Sequence, residues 1–281
     1  MLHSTGEALV NPTNVSPSFL APARTAPATD SLNDIAPWPG LVTASSQIGV
    51  PLDDEAGRRF ARYRDLLLEW NTRFNLTAVR EPDEVERRLF LDALAMIPVI
   101  DHVLARCDLR RDRPARLIDV GSGAGIPGLV LKIARPTLDV TLIDATGKKV
   151  AFMNAVIEDL RLAAARAVHG RAEELARDEA FRERFDLATA RAVASLPTLL
   201  ELVMPFLDVG GYAFFPKGMQ IDEELRAGRR AAKKLSSTLV SSDLIATGNT
   251  RLVIVRKTSL TAKAYPRRTG IPQRMPLGGG A

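Results

Sequence analysis

Leu117-Ile118-Asp119-Val120 runs straight into Gly121-Ser122-Gly123-Ala124-Gly125, and about 20 residues later a second apolar run, Val140-Thr141-Leu142-Ile143, ends in Asp144. An apolar run broken by closely spaced glycines reads as a buried strand that ends in a sharp turn. The glycines let the backbone turn off the strand and approach a ligand with no Cβ in the way. A carboxylate at the tip of the next strand is placed to accept hydrogen bonds from ribose hydroxyls. The pair therefore reads as a nucleotide pocket, and the order of its parts decides which nucleotide it takes.

Downstream of this stretch the pattern is strand, turn, helix, repeated. Strands are predicted near 116–120, 139–144, 165–169, 185–190, 211–216, 238–247 and 252–257, with helices near 127–134, 148–160, 172–178, 196–207 and 221–235. Such alternation implies an α/β fold: a mostly parallel seven-stranded sheet covered on both faces, with ligands at the carboxyl ends of the strands. Gly248-Asn249 marks a tight turn between the last two strands, which pair as an antiparallel hairpin at the sheet edge. No internal repeat is present.

Upstream, residues 53–74 place Phe60, Tyr63, Leu67, Trp70 and Phe74 at steps of three and four, on one face of a helix that starts at an acidic cap. The stripe reads as core packing rather than a base-stacking surface. A second helix is predicted over 83–105, carrying Val85, Leu89, Leu91, Leu94, Met96 and Ile97. Residues 1–50 hold Pro12, Pro17, Pro22, Pro27, Pro37 and Pro39 among Ser, Thr and Ala, a composition that predicts a disordered extension. The domain reading is thus an extension over 1–50, a helical subdomain over 51–112, the sheet domain over 113–260 and a basic tail over 261–281.

Length and composition bound the alternatives. The 281 residues, 46% of them hydrophobic, furnish a sizeable core. Charged residues interrupt every stretch that approaches the roughly 20 apolar residues of a membrane span. Met1-Leu2-His3-Ser4 lacks a basic segment followed by an apolar one, so no secretory signal is expected. The single cysteine, Cys107, excludes an internal disulfide, suits a reducing cytoplasm and reads as a semi-buried helix residue. His3, His102 and His169 are scattered without a carboxylate or Cys cluster, which argues against a metal site. The net charge of +5 is unevenly spread: Arg251, Arg256, Lys257, Lys263, Arg267, Arg268 and Arg274 fall in one stretch with no acid among them. That stretch suits a polyanionic partner such as RNA or, equally, a solvated basic tail.

Two cofactors compete for the glycine loop. Gly123-Ala124-Gly125-Ile126-Pro127-Gly128 satisfies the Gly-x-Gly-x-x-Gly string of nicotinamide enzymes. In a dinucleotide fold, however, the first glycine closes the strand, and here that glycine is Gly121, giving Gly-x-Gly-x-Gly. Asp119, two positions before it, can fix the loop by accepting its amides or contact a ligand ammonium group. Asp-x-Gly-x-Gly-x-Gly followed by a strand-end acid resembles the S-adenosylmethionine site of Rossmann-like methyltransferases, with Asp119, Gly121, Gly123 and Asp144 as its parts. A phosphate-gripping loop is not expected, because no Gly-Lys-Ser/Thr follows at the required spacing.

Five segments extend that likeness to one family. They are Trp70 to Val79, Asp119 to Gly128, Leu142 to Lys149, Phe185 to Leu196 and Tyr265 to Pro272. Together they resemble the bacterial 16S ribosomal RNA guanine-N7 methyltransferases once called glucose-inhibited division protein B. The resemblance runs from about Asp53 to the end. It implies a class I S-adenosylmethionine-dependent methyltransferase fold with an N-terminal helical subdomain, acting on N7 of a guanine in the 530-loop region of 16S ribosomal RNA. With the cysteine and histidine readings above, a cytoplasmic monomer without metal is expected. Site residues implied for the cofactor are Gly121, Ile126, Ala172, Glu173 and Arg191; those implied for RNA are Lys217, Arg267 and Arg268. Arg226, Arg229, Arg230, Lys233 and Lys234 on one helix are further candidates for phosphate contact. Two positions depart from the family pattern. Leu89 stands where a histidine is usual, ahead of Asp92-Ala93, so no catalytic role is assigned to that helix, and Ala145 replaces a serine after Asp144.

Guanine N7 carries an in-plane lone pair and no proton, so its methylation needs no general base and none is assigned. Two other readings remain at this stage: a nicotinamide-dependent oxidoreductase using the same glycines, and a non-catalytic RNA-binding scaffold.

Overall fold

A computed structural model describes residues 32–106, 113–191 and 194–278. Its first elements are helical: α1 (Pro39–Gln47), α2 (Asp54–Phe74), α3 (Pro82–Glu84), which continues through π-helical turns at Val85–Leu91 into α4 (Asp92–Leu94), and α5 (Ile97–Arg106). The side chain of Asp53 caps α2 by accepting the Ala56 N–H at 2.7 Å, and Asn75 in the left-handed region closes it. The predicted stripe is core: Phe60, Tyr63 and Leu67 are fully buried and Trp70 nearly so, with the Tyr63 ring stacked on Phe90 at 5.0 Å.

Two expectations fail here for local reasons. The structureless extension does not reach residue 50. Pro39 occupies the first turn of α1, where a missing N–H costs nothing, and Leu41 and Val50 are fully buried. Residues 1–31, the rest of that extension, lie outside the described residues, as does Cys107. The helix predicted over 83–105 is interrupted at Ala95-Met96, because Pro98 cannot bond to the carbonyl four residues back and its ring would clash with it.

The sheet comprises β1 (Arg116–Val120), β2 (Asp139–Asp144), β3 (Ala165–His169), β4 (Phe185–Thr189), β5 (Leu207–Lys217), β6 (Ser237–Leu244) and β7 (Arg251–Lys257). Between them lie α6 (Gly128–Ala134), α7 (Gly147–Asp159), the single turn α8 (Ala172–Leu175), α9 (Leu196–Val203) and α10 (Asp222–Lys234), with α11 (Ile271–Arg274) in the C-terminal segment. Strand order is β3-β2-β1-β4-β5-β7-β6. The first five strands pair in parallel, and β7 is antiparallel to both β5 and β6, as the hairpin signal predicts. The chain leaves β1 toward β2 on one side and returns to β4 on the other. A crevice therefore opens at the carboxyl end of β1, where such sheets hold ligands.

Side chains alternate across the sheet into two cores. Leu117, Val140, Leu142, Leu187 and Phe214 face α6, α7 and the N-terminal helices, all in one continuous cluster. Ile118, Ile143, Ala188, Ala213 and Phe215 face α9 and α10. The helical segment thus has no core of its own and forms an extra layer on one face of the sheet.

The segment after β7 is docked rather than free. Arg267 forms a bidentate ion pair with Glu201, whose side chain is completely buried on α9, at 2.6 Å for the closest contact. Arg182 donates to the carbonyls of Thr261 and Tyr265, and the Thr198 hydroxyl donates to the Pro272 carbonyl. Lys257 is fully buried beneath this segment. It donates to the Met204 carbonyl at 2.9 Å and to the Thr261 hydroxyl, and burial pulls its pKa down to about 8 against the pull of Glu183.

Candidate active site

Gly121, Gly123 and Gly125 all have positive φ, at 70°, 60° and 82°, so the loop after β1 is a run of left-handed turns that other residues would strain. The loop is pinned from both strands. Gly121 and Ser122 donate their N–H groups to the Ile143 carbonyl, and the Ser122 hydroxyl donates back to the Asp119 carbonyl at 2.8 Å. A Cβ on Gly128 would lie 2.8 Å from Asp119 Oδ2 and from Leu142, so this glycine lets α6 sit directly on the sheet. That role explains why the nicotinamide string is present in the wrong frame: its last glycine serves packing, and the glycine that closes the strand is Gly121.

The two acids of the motif divide their work. Asp144, nearly buried, accepts the Gly123 N–H with Oδ2 at 3.0 Å and the Thr146 N–H with Oδ1 at 2.8 Å, and Lys149 stands 3.8 Å away. Asp119 is fully buried. Its Oδ2 accepts the Gly128 N–H at 3.0 Å, while Oδ1 has no hydrogen-bond partner. Burial raises its pKa to about 7; the Gly128 amide opposes the rise, and Asp144 adds to it. Of the two roles open to Asp119 in the sequence, the loop engages one oxygen and the other is left over.

A cleft of about 460 Å³ opens over this loop, lined by Gly121, Gly123, Ile126, Asp144 and Lys149 below and by Leu76, Thr77 and Leu89 from the helical layer. The helical layer is fixed to the loop through α2, where the buried Tyr63 hydroxyl donates to the Ala124 carbonyl. Burial pushes that phenol well above its ordinary pKa, so it stays a donor. The segment after α2 takes its shape from Asn71. This buried side chain accepts the Thr77 N–H and donates to the Val79 carbonyl, presenting Leu76 and Thr77 to the cleft. The Trp70 to Val79 motif is therefore a wall-builder.

Arg191, just past β4, is half-buried and lies at the border of this cleft with a second one of about 520 Å³. It donates to the Arg88 carbonyl in the π-helical segment at 3.1 Å. Desolvation lowers its pKa, while Asp92 and Asp119 oppose that drop. The second cleft is lined by Thr77, Val79, Leu89, Asp92, Lys217, Gly218, Asn249 and Thr250, drawn from both ends of the chain. Sequence reasoning missed it. Its parts are readable singly, as Arg191, Lys217 and Asp92 beside Leu89, but not as one site, because the π-helical turns that carry Leu89 and Asp92 leave no periodic signature.

The remaining candidates lie outside the first cleft. Ala172 and Glu173 are not among the residues lining the first cleft, and the Glu173 carboxylate accepts the Gly270 N–H of the C-terminal segment at 3.0 Å. Lys217 donates to the Ala194 carbonyl and to Glu224 at 2.7 Å, which leaves it 12% exposed. Arg267 is committed to Glu201, whereas Arg268 is exposed. The first turn of α10, nearest Lys217, is acidic; Arg226, Arg229 and Arg230 follow along the exposed face of the helix, and Lys233 and Lys234 close it at the far end of the sheet. Among the described residues no group of His, Cys, Asp and Glu is placed to hold a metal ion, and no helix is long and apolar enough to cross a membrane.

Five parallel strands, an antiparallel β7 inserted beside β5, a glycine loop after β1 and an acid closing β2 define a class I S-adenosylmethionine-dependent methyltransferase. The loop suits that cofactor: its glycine backbone is open to close approach, Asp144 keeps acceptor capacity, and Ile126 and Leu89 offer apolar walls. Comparison with known proteins narrows the class. The family model for rRNA small subunit methyltransferase G matches residues 57–253, and the chain belongs to that family. The ribosomal RNA small subunit methyltransferase G of Chloroflexus aggregans is 42% identical over 243 residues, covering 84% of this chain and 97% of that protein. Those of Desulfitobacterium hafniense and Streptococcus gordonii are 38% and 40% identical over 235 residues, covering 82% and 83% of this chain and 93% and 96% of theirs. The nicotinamide and scaffold readings are thereby set aside.

Proposed function

We propose that the protein transfers a methyl group from S-adenosylmethionine to N7 of a guanine in the 530-loop region of 16S ribosomal RNA, as a cytoplasmic monomer that uses no metal. The observation that carries this reading is the pair of contiguous clefts sharing Thr77, Leu89 and Arg191, one floored by the glycine loop and the other open toward the sheet's antiparallel edge. Bound S-adenosylmethionine supplies a sulfonium methyl group open to displacement by a neutral nitrogen lone pair.

The protein's own residues then have three tasks. Gly121 and Gly123 admit the cofactor to the backbone, Asp144 accepts its ribose hydroxyls, and Ile126 packs on its apolar parts. The backbone at Ala172-Glu173 frames the adenine, since the Glu173 carboxylate is engaged with Gly270. Asp119 Oδ1 and Arg191 complement the ammonium and carboxylate of the methionine moiety. The second task is alignment. Walls that hold N7 about 3 Å from the methyl carbon, in line with the departing sulfur, convert an encounter into a reaction. The third is electrostatic: positive charge moves onto the purine, so flanking carboxylates suit the site better than a free cation. Arg191 is accordingly placed to bind an anionic group rather than the base. RNA contact falls to Arg268 and to the exposed rim, with Lys217 and Arg267 acting as braces.

Mass spectrometry of digested small-subunit RNA from a strain lacking the gene, compared with the same strain complemented, tests the reading. One N7-methylguanosine is expected to disappear and return; an unchanged digest would reject it.

A further inference from the structure

We infer that Asp92 selects and orients the target base by accepting hydrogen bonds from the Watson–Crick edge of guanine; this inference rests on the reading above, in which a guanine enters the second cleft. Asp92 opens α4, immediately after the π-helical turns, and lines that cleft. Its Oδ2 accepts one long hydrogen bond, from the Thr250 hydroxyl at 3.3 Å, and its Oδ1 is buried against its neighbours and accepts none. An ionised carboxylate offers about four acceptor sites. Leaving a buried oxygen unpaired is costly, so a turn of this side chain into the cleft it lines, to meet a donor that arrives with a ligand, is favourable. Arg191 does not fill that role. It attracts Asp92 through space but gives its hydrogen bond to the Arg88 carbonyl.

The chemistry of the missing donor is specific. Among the four RNA bases only guanine presents two adjacent N–H donors, N1–H and the N2 amine, along its Watson–Crick edge. Adenine and cytosine each pair a donor with an acceptor there, and uracil flanks one donor with two acceptors. A carboxylate thus matches guanine with both oxygens and meets a lone pair on every other base. N7 lies on the opposite side of the purine from that edge. With the Watson–Crick edge at Asp92, N7 turns toward Thr77, Leu89 and the cofactor cleft beyond them. One carboxylate therefore sets both the identity of the base and the edge it offers. Thr250, on the turn before β7, is a positioning residue that holds the carboxylate in the wall.

The test compares guanosine with inosine, which keeps N7 and N1–H but lacks the N2 amine. Small subunits reconstituted with 16S RNA carrying either base at the target position serve as substrates. The wild-type protein is expected to prefer guanosine by roughly 10- to 100-fold in kcat/KM, the worth of one well-formed base contact. Asp92→Asn is expected to lower the guanosine rate and to bring the two substrates within about threefold of each other, with S-adenosylhomocysteine affinity retained in calorimetry. Wild-type protein that methylates inosine as well as guanosine would overturn the inference whether or not the variant folds. So would a variant that slows both substrates equally or neither. Absence of any methylation of guanosine by the wild type would instead remove the reading on which the inference rests.

Discussion

Asp119 illustrates how one side chain is set by two demands. Sequence spacing shows that an acid precedes the loop, but not that burial leaves one oxygen bonded to Gly128 and the other alone. With its pKa raised to about 7, Asp119 is largely protonated in the free protein below neutrality. The folded state then holds this proton more tightly than the unfolded chain does. The resulting stability is full below the ordinary carboxylate range and is lost as pH rises through about 7. Cofactor binding has the opposite sign if Asp119 faces the methionine ammonium, because the cation favours the ionised form. Calorimetry with S-adenosylhomocysteine is expected to show affinity rising between pH 6 and 8 in the wild type and a flatter profile in Asp119→Asn; parallel profiles would place the ammonium elsewhere. Gly128→Ala tests packing rather than charge. Its Cβ would meet Asp119 Oδ2 and Leu142 at 2.8 Å, so a stability loss of roughly 1–3 kcal/mol in urea titrations is expected, together with weakened cofactor binding.

At the scale of elements, what the sequence announces and what it hides have physical causes. Strands β1, β2 and β4 are legible because a strand buried on both faces is mostly apolar along its length, and the loop because its succession of positive φ angles favours glycine. Helix α1 is hidden among prolines, since a proline in a first turn and a proline in a disordered run look alike. Leu41→Ala is expected to cost about 2–5 kcal/mol, a value that a dispensable extension would not show. The C-terminal segment poses the same difficulty with charge. Arg267 and Arg268 are neighbours in sequence, yet one is paired with a buried glutamate and the other meets solvent. Arg267→Met would strand Glu201 in the core. A loss of about 3 kcal/mol or more is expected from urea unfolding, whereas Arg268→Met should leave stability within about 0.5 kcal/mol and weaken RNA binding instead.

Taken whole, the molecule assembles its second cleft from five separate stretches, represented by Thr77, Leu89 with Asp92, Arg191, Pro216 to Gly218, and Asn249-Thr250, a set that no single stretch of sequence could reveal. Arg191, Lys217 and Asn249 are readable as element ends, but their meeting with Leu89 and Asp92, which the sequence places inside one helix, depends on the helical layer lying over the carboxyl edge of the sheet. RNA affinity is expected to fall steeply with added salt, in proportion to the phosphates contacted, while S-adenosylhomocysteine affinity changes little. Filter binding and calorimetry over a salt series would check both. Arg191, with Thr77 and Leu89, is a party wall between the two clefts, and a shared wall makes their occupants thermodynamic neighbours. Whatever factor bound cofactor applies to the affinity for RNA, bound RNA must apply to the affinity for cofactor. The exchange of S-adenosylhomocysteine for fresh cofactor and the departure of methylated RNA are therefore one linked equilibrium, with Arg191 as its hinge.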